Sequence, residues 1–176
     1  MERPVLGNQF ATFPSELGWM AIVGRKNRLL HVRFGYPSES AVLSALRTLL
    51  TGDATDEVWN APLVGRLQAY AAGAPDDFRG IPVDHEGWTP FARKVLDCCR
   101  RVSCGETTSY AALAEKAGSP RAARAVGNVM ARNRCPLVIP CHRVLGSGTS
   151  LGGYSAAGGL KLKRRLLDME AGAAIL

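Results

Sequence analysis

No cysteine precedes Cys98; all five, Cys98, Cys99, Cys104, Cys135 and Cys141, lie in the second half of the 176-residue chain. An odd number, crowded into one half, argues against a disulfide framework. No run of about eighteen apolar residues occurs, which excludes a membrane-spanning helix. The opening Met1-Glu2-Arg3-Pro4-Val5 lacks the basic start and apolar stretch of a secretory leader, so a cytoplasmic location with reduced thiols is expected. There is no internal repeat and no low-complexity tract. The glycines of Gly146-Ser147-Gly148 and Gly152-Gly153 are not followed by Gly-Lys-Ser/Thr, so they form no phosphate loop. In the first half only His31 and His85 offer themselves as zinc ligands, too few for a site, and neither a metal nor another cofactor is expected.

Carboxylates are also scarce in one half. Residues 87–176 carry 14 Lys and Arg against 5 Asp and Glu, a net of +9, whereas residues 1–86 carry 8 against 10, a net of −2. Such a basic half is either a solvated surface or a face for a polyanion, where Lys and Arg release counterions from phosphate. The divide suggests two units, 1–86 and 87–176, and the chain is long enough for two small cores.

Strand-like alternation marks Gln9–Phe13, Gly18–Val23 and Leu29–Phe34, with a hairpin turn between Gly24 and Arg28. Ser38 or Ser40 caps a helix in which Val42, Leu43, Leu46, Leu49 and Leu50 recur at helical spacing, and Leu63, Leu67 and Tyr70 mark a second helix ending near Gly73. Ile81-Pro82-Val83 reads as an edge strand. The first half is thus a small α+β unit. In the second half Thr89 caps a helix with Pro90 in its first turn, running to about Arg101. Ser109 caps a short helix to Ala117, Gly118-Ser119-Pro120 breaks it, and a further helix runs from Arg121 to about Arg132, a helix-turn-helix pattern. Leu137-Val138-Ile139 reads as a buried strand, and a last helix carries Leu160, Leu162, Leu166, Leu167 and Met169.

Cys141 follows that apolar run in Ile139-Pro140-Cys141-His142-Arg143-Val144. A free cysteine in such a place is commonly a small buried hydrophobe. Pro140 fixes its direction, however, and the neighbouring imidazole of His142 is the kind of base that makes a thiol a nucleophile. In a strand the two side chains point apart, so His142 reaches Cys141 only in a turn or through a water. Cys98 and Cys99 sit on a helix and read as packing.

The run Pro140-Cys141-His142-Arg143-Val144 resembles the active-site motif of the O6-alkylguanine-DNA alkyltransferases, the methylated-DNA–protein-cysteine methyltransferases. The likeness extends from about Trp88 to Glu170 through Thr89-Pro90-Phe91, Gly105-Glu106-Thr107, Ser109-Tyr110, Arg121 to Gly127, Asn133 and Gly153-Tyr154-Ser155. It implies a first unit of ribonuclease H-like plan, a small antiparallel sheet with two helices, and a mostly helical second unit with a winged helix-turn-helix. It implies direct-reversal repair of duplex DNA holding alkylated bases, by a monomer. The nucleotide would be flipped out and its alkyl group moved irreversibly to Cys141. By the same resemblance His142 would take the thiol proton, Glu170 would hold His142, and Asn133 would brace the turn. Tyr110 would donate toward the departing base, and the Val144 carbonyl with Gly153, Tyr154 and Ser155 would border it. Arg124 would enter the minor groove in place of the base, flanked by Arg121, Ala123, Ala125 and Gly127. Arg132, Arg134, Lys161, Lys163, Arg164 and Arg165 are candidates for phosphate contacts, the last four equally a solvated face.

The chain departs from that pattern at Ser103-Cys104-Gly105, in a longer loop at Ser155–Gly159, and at Cys135, where a redox partnership with Cys141 is open. Other classes fit less well. A non-enzymatic alkylated-base binder of the alkyltransferase-like type would lack the reactive cysteine. A Cys-His hydrolase leaves the basic half unexplained, and a helix-turn-helix regulator lacks a dimer seam.

Overall fold

The computed structural model describes residues 7–50, 59–148 and 150–173. Three strands, β1 (Gln9–Phe13), β2 (Trp19–Arg25) and β3 (Arg28–Tyr36), form an antiparallel sheet in chain order. The β2–β3 turn falls at Lys26 and Asn27, whose φ values of 49° and 62° are the left-handed pair that a two-residue hairpin needs. Alternation sends Phe13, Met20, Ile22, Val32 and Phe34 into the main core. Phe10, Ala21, Val23 and Leu30 face a smaller core under helix α1 (Glu39–Leu46). The sheet is therefore covered on both sides.

Of the two candidate caps, Ser38 holds α1, accepting from the Ala41 amide at 3.2 Å. The helix ends at Leu46, earlier than the apolar spacing predicts; Leu43 is 36% exposed, and Leu49 and Leu50 pack against the smaller core from the following turn. Helix α2 (Ala61–Ala71) is capped by Asn60 and buries Leu63, Leu67 and Tyr70. Ile81–Val83 is not a strand. It makes a single bridge to β3, where the Leu29 amide donates to the Pro82 carbonyl and the Asp84 amide to that of Leu29, both at 2.8 Å. Farther along the same edge, the Val32 amide donates to the Arg134 carbonyl at 2.9 Å. Chain from the second half thus satisfies an edge that would otherwise stand open.

In the second half, α3 (Pro90–Cys99) stops slightly short of Arg101 and packs on α4 (Tyr110–Lys116) and α5 (Ala123–Ala131). The latter starts at Ala123, later than expected, so Arg121 lies in the preceding turn. The expected strand at Leu137–Ile139 is instead a tight turn, with Leu137 at φ 72° and the Ile139 amide bonded to the Cys135 carbonyl at 2.8 Å. Three buried apolar residues cannot by themselves separate a strand from a turn whose backbone is satisfied locally. A two-stranded parallel pair, β4 (Thr108–Ser109) with β5 (Val144–Leu145), had no signal in the sequence at that length. It ties the start of α4 to the segment following Cys141. The last helix, α6 (Gly159–Ala173), completes a mixed α+β fold.

Candidate active site

Cys141 opens a single 3-10 turn, Cys141–Arg143, which replaces the strand geometry that would have turned His142 away. Asn133, just beyond α5, holds the approach to that turn. Its amide donates to the Ile139 carbonyl at 2.8 Å, and its carbonyl oxygen accepts from the Cys135 amide at 3.0 Å. Burial raises the Cys141 thiol above its ordinary value, while hydrogen bonding from Asn133 and the charge of Lys163 pull the other way. The net direction is upward, so the resting group is a thiol that needs a base.

A candidate for that base is the next residue. His142 is fully buried, and its Nε2 lies 2.9 Å from Glu170 Oε1. A ring nitrogen facing a carboxylate carries the proton, which assigns N–H to Nε2 and leaves Nδ1 as an acceptor. Nδ1 is buried and has no hydrogen-bond partner among the described residues. Burial pushes the imidazole below its ordinary value, against the pull of Glu170, so it rests neutral. Glu170, on α6, is only 2% exposed. Burial alone would raise its carboxyl; hydrogen bonds from His142, Arg143 and Tyr70 outweigh that and hold it at about 2.

Two of those partners carried no role in the sequence reading. Arg143, 1% exposed, donates through Nη2 to Glu170 Oε1 at 2.8 Å, through Nε to Oε2 at 3.0 Å, and through Nη1 to the Val102 carbonyl at 2.6 Å and Asp77 at 3.1 Å. Tyr70, on α2, donates its phenol to Glu170 Oε1 at 2.6 Å and sits 3.3 Å from His142 Nε2. Its position among apolar helix residues marked it as core. The hint was a hydroxyl that, once buried, must find a partner.

Cys141 faces two cavities. One, of about 250 Å³, is lined by Tyr110, Gly127, Met130, Gly153, Tyr154 and Ser155 with Cys141. The other, of about 430 Å³, runs between Tyr154 and β3, along Arg33, Phe34 and Pro136. Tyr110 is half-buried, and Gly152 lies so close that a Cβ there would stand 2.8 Å from its ring, at φ 69°. Only glycine brings the loop this near. Tyr154 keeps its ring in both cavity walls, and its hydroxyl is buried with no partner among the described residues.

Val144, expected to border a base, lines neither cavity. Its carbonyl accepts from Lys163 Nζ at 2.6 Å, and the same ammonium reaches the carbonyls of Leu151 at 2.5 Å and Gly153 at 3.2 Å. Lys163 is therefore neither a phosphate contact nor part of a solvated face. It is fully buried and clamps the glycine-rich loop to the strand after Cys141. Charge runs on amphipathic helices usually face water, so the sequence offered no warning.

Arg121, Arg124 and Ala125 are exposed, Ala123 and Gly127 half-buried, along α5 and its approach. Gly127 lines the smaller cavity, so the exposed face of α5 adjoins the site. Arg134 is committed elsewhere: its guanidinium stacks 5.1 Å from the Trp88 ring and donates to the Glu86 carbonyl at 2.8 Å. Cys135 is fully buried, with its thiol pushed up to about 12, which removes it from ready exchange chemistry with Cys141.

A buried cysteine next to a His–Glu pair and facing a cavity is an arrangement suited to a thiol nucleophile. Comparison with known proteins narrows this. The model of the 6-O-methylguanine DNA methyltransferase DNA-binding domain matches residues 90–172. The constitutive methylated-DNA–protein-cysteine methyltransferase of Bacillus subtilis is 33% identical over 163 residues, 93% of this chain and 95% of the relative. That of Mycolicibacterium paratuberculosis is 35% identical over 162 residues, 92% of each. Among solved structures, Mycobacterium tuberculosis OGT in complex with DNA superposes with a TM-score of 0.74 at 30% identity, covering 94% of both chains. The chain belongs to the methylated-DNA–protein-cysteine methyltransferase family.

Proposed function

We propose that the protein repairs DNA directly by taking an alkyl group from O6 of guanine, with O4 of thymine as a further candidate, onto Cys141. The observation that carries this reading is the Cys141–His142–Glu170 arrangement opening onto a cavity walled by Tyr110 and Tyr154. The thiol proton passes to His142 Nδ1, through a water, and Glu170 stabilises the imidazolium that forms. Cys141 Sγ attacks the alkyl carbon in line; the S–C bond forms as the C–O6 bond breaks, and the electron pair leaves on the guanine. Tyr110 neutralises that charge by donating toward the ring in a site screened from water.

O6 is stacked inside duplex DNA, so the nucleotide must be flipped out. Residues 87–176 act as the DNA-binding and acceptor unit, with α4 and α5 as a winged helix-turn-helix and residues 1–86 as a support of ribonuclease H-like plan. Exposed Arg124 fills the gap from the minor groove, and Arg121 with the small Ala123, Ala125 and Gly127 lets α5 approach the backbone closely. Gly153, Tyr154 and Ser155 border the flipped base; Val144 supports that border through Lys163. The protein acts as a monomer, and it acts once only, since no group among the described residues of the site is placed to hydrolyse a thioether.

Titrating the protein with excess O6-methylguanine duplex tests this. Guanine should be restored in an amount equal to the protein added and then stop. No loss of the lesion would contradict the reading, and repeated turnover would contradict the single use.

A further inference from the structure

The relay behind Cys141 contains one member that comes from far away in the chain. Glu170 Oε1 accepts from His142 Nε2 at 2.9 Å, Arg143 Nη2 at 2.8 Å and the Tyr70 phenol at 2.6 Å. Tyr70 is 1% exposed, and its ring is locked edge-on to Phe78, centroids 5.4 Å apart at 63°. Its hydroxyl hydrogen is directed at the carboxylate, so the phenol's lone pairs lie toward the Nε2 hydrogen 3.3 Å away. Both neighbours of Nε2 therefore ask for a proton on that nitrogen.

We propose that Tyr70 is a positioning residue for the alkyl transfer. Its phenol, in contact with both Glu170 and His142, fixes the Nε2–H tautomer, keeps Nδ1 open for the thiol proton, and tempers the pull of Glu170 on the ring. The inference rests on the alkyl-transfer reading above and adds to it a contribution from the first half of the chain to the chemistry of the second. Burial first, and then the Glu170 charge, hold the phenol well above its ordinary value, so Tyr70 keeps its proton and serves as a donor throughout. Around His142 stand Glu170 and Lys163 from α6, Arg143 and Cys141 from its own turn, and Tyr70 from α2; Cys104 and Asp77 border Arg143. Of these, Tyr70 is the neutral group in contact with both the base and its carboxylate. Removing the hydroxyl returns unshared charge density to Glu170, which makes the imidazolium easier to form. An imidazole already protonated cannot take the thiol proton.

The test compares the wild-type protein with Tyr70→Phe, which keeps the ring and its packing. Nitrogen NMR of the His142 ring reads tautomer and titration directly, and the rate of methyl uptake from an O6-methylguanine duplex is followed against pH. The wild type should show hydrogen on Nε2. In Tyr70→Phe the His142 titration should rise by about one pH unit, the size expected when a carboxylate loses one charged-state donor. The acid limb of the rate profile should rise with it, so that transfer well below the midpoint slows about tenfold. Wild type that takes up methyl while both proteins titrate identically, or a wild-type ring protonated on Nδ1, overturns the positioning role alone. Wild type that takes up no methyl overturns the alkyl-transfer reading and the positioning role together.

Discussion

At Glu170 a single carboxylate neutralises a buried arginine and orients a buried histidine, and its energetics follow from that double duty. Charge removal by Glu170→Gln would strand the Arg143 guanidinium in the core with Asp77, at 3.1 Å, as its one remaining carboxylate among the described residues. The expected loss is about 3–5 kcal/mol, as for a broken buried pair, read from chemical denaturation. The sign of the pH dependence is also fixed. Because the folded carboxyl sits at about 2, below its ordinary 4.5, its stabilisation is complete above 4.5 and drains as pH falls toward 2. His142, held neutral by burial, adds to acid lability, since the unfolded chain takes up that proton more readily. Glu170→Gln should therefore flatten the stability profile between about pH 4.5 and 2. Cys141 and His142 were legible in the sequence through the run Pro140–Val144 and the ordered matches around it; adjacency of thiol and imidazole alone left a buried, inert cysteine open. Tyr70 and Arg143 were not: their roles arise only when α2 and the turn at Cys141 meet across the core.

Among the elements, the glycine-rich loop before α6 is shaped by one buried ammonium. Lys163→Met keeps the aliphatic stem but leaves the carbonyls of Val144, Leu151 and Gly153 without their donor. A stability loss of about 1–3 kcal/mol is expected, together with slower transfer, because that loop carries Gly153, Tyr154 and Ser155. Lys161→Ala, at an exposed position of the same helix, should stay within about 0.5 kcal/mol of wild type. Helix α5 gives a separate contrast. Arg124→Ala should slow repair of duplex DNA far more than transfer from free O6-benzylguanine, and equal losses on the two substrates would remove Arg124 from the flipping role. Caps made several elements readable: Ser38, Thr89 and Ser109 each accept from a first-turn amide, whereas the Asn60 cap of α2 emerged only in the fold. The turn at Leu137–Ile139 was misread because its backbone is satisfied by Asn133 and Cys135, a local solution that apolar patterning does not report.

Across the whole molecule, the two halves share more than a boundary. The edge of β3 donates to Arg134, Arg143 reaches Asp77, and Tyr70 reaches Glu170. Residues 87–176 alone would hold Glu170 and Arg143 without these partners and would leave part of the β3-facing core open to water. That fragment should melt far below the full chain or without a cooperative transition, and an unchanged melting temperature by circular dichroism would contradict this coupling. The charge split between the halves was readable from composition and left a polyanion partner open, which the motif resemblance narrowed to DNA; the seam was not, since it is made by contacts distant in sequence. The proposed alkyl transfer converges on one atom, Cys141 Sγ. Peptide mass mapping after incubation with an O6-methylguanine duplex addresses it directly. One added methyl on the peptide holding Cys141 is the predicted result, and methyl on Cys98, Cys99, Cys104 or Cys135, or on no cysteine, would contradict it.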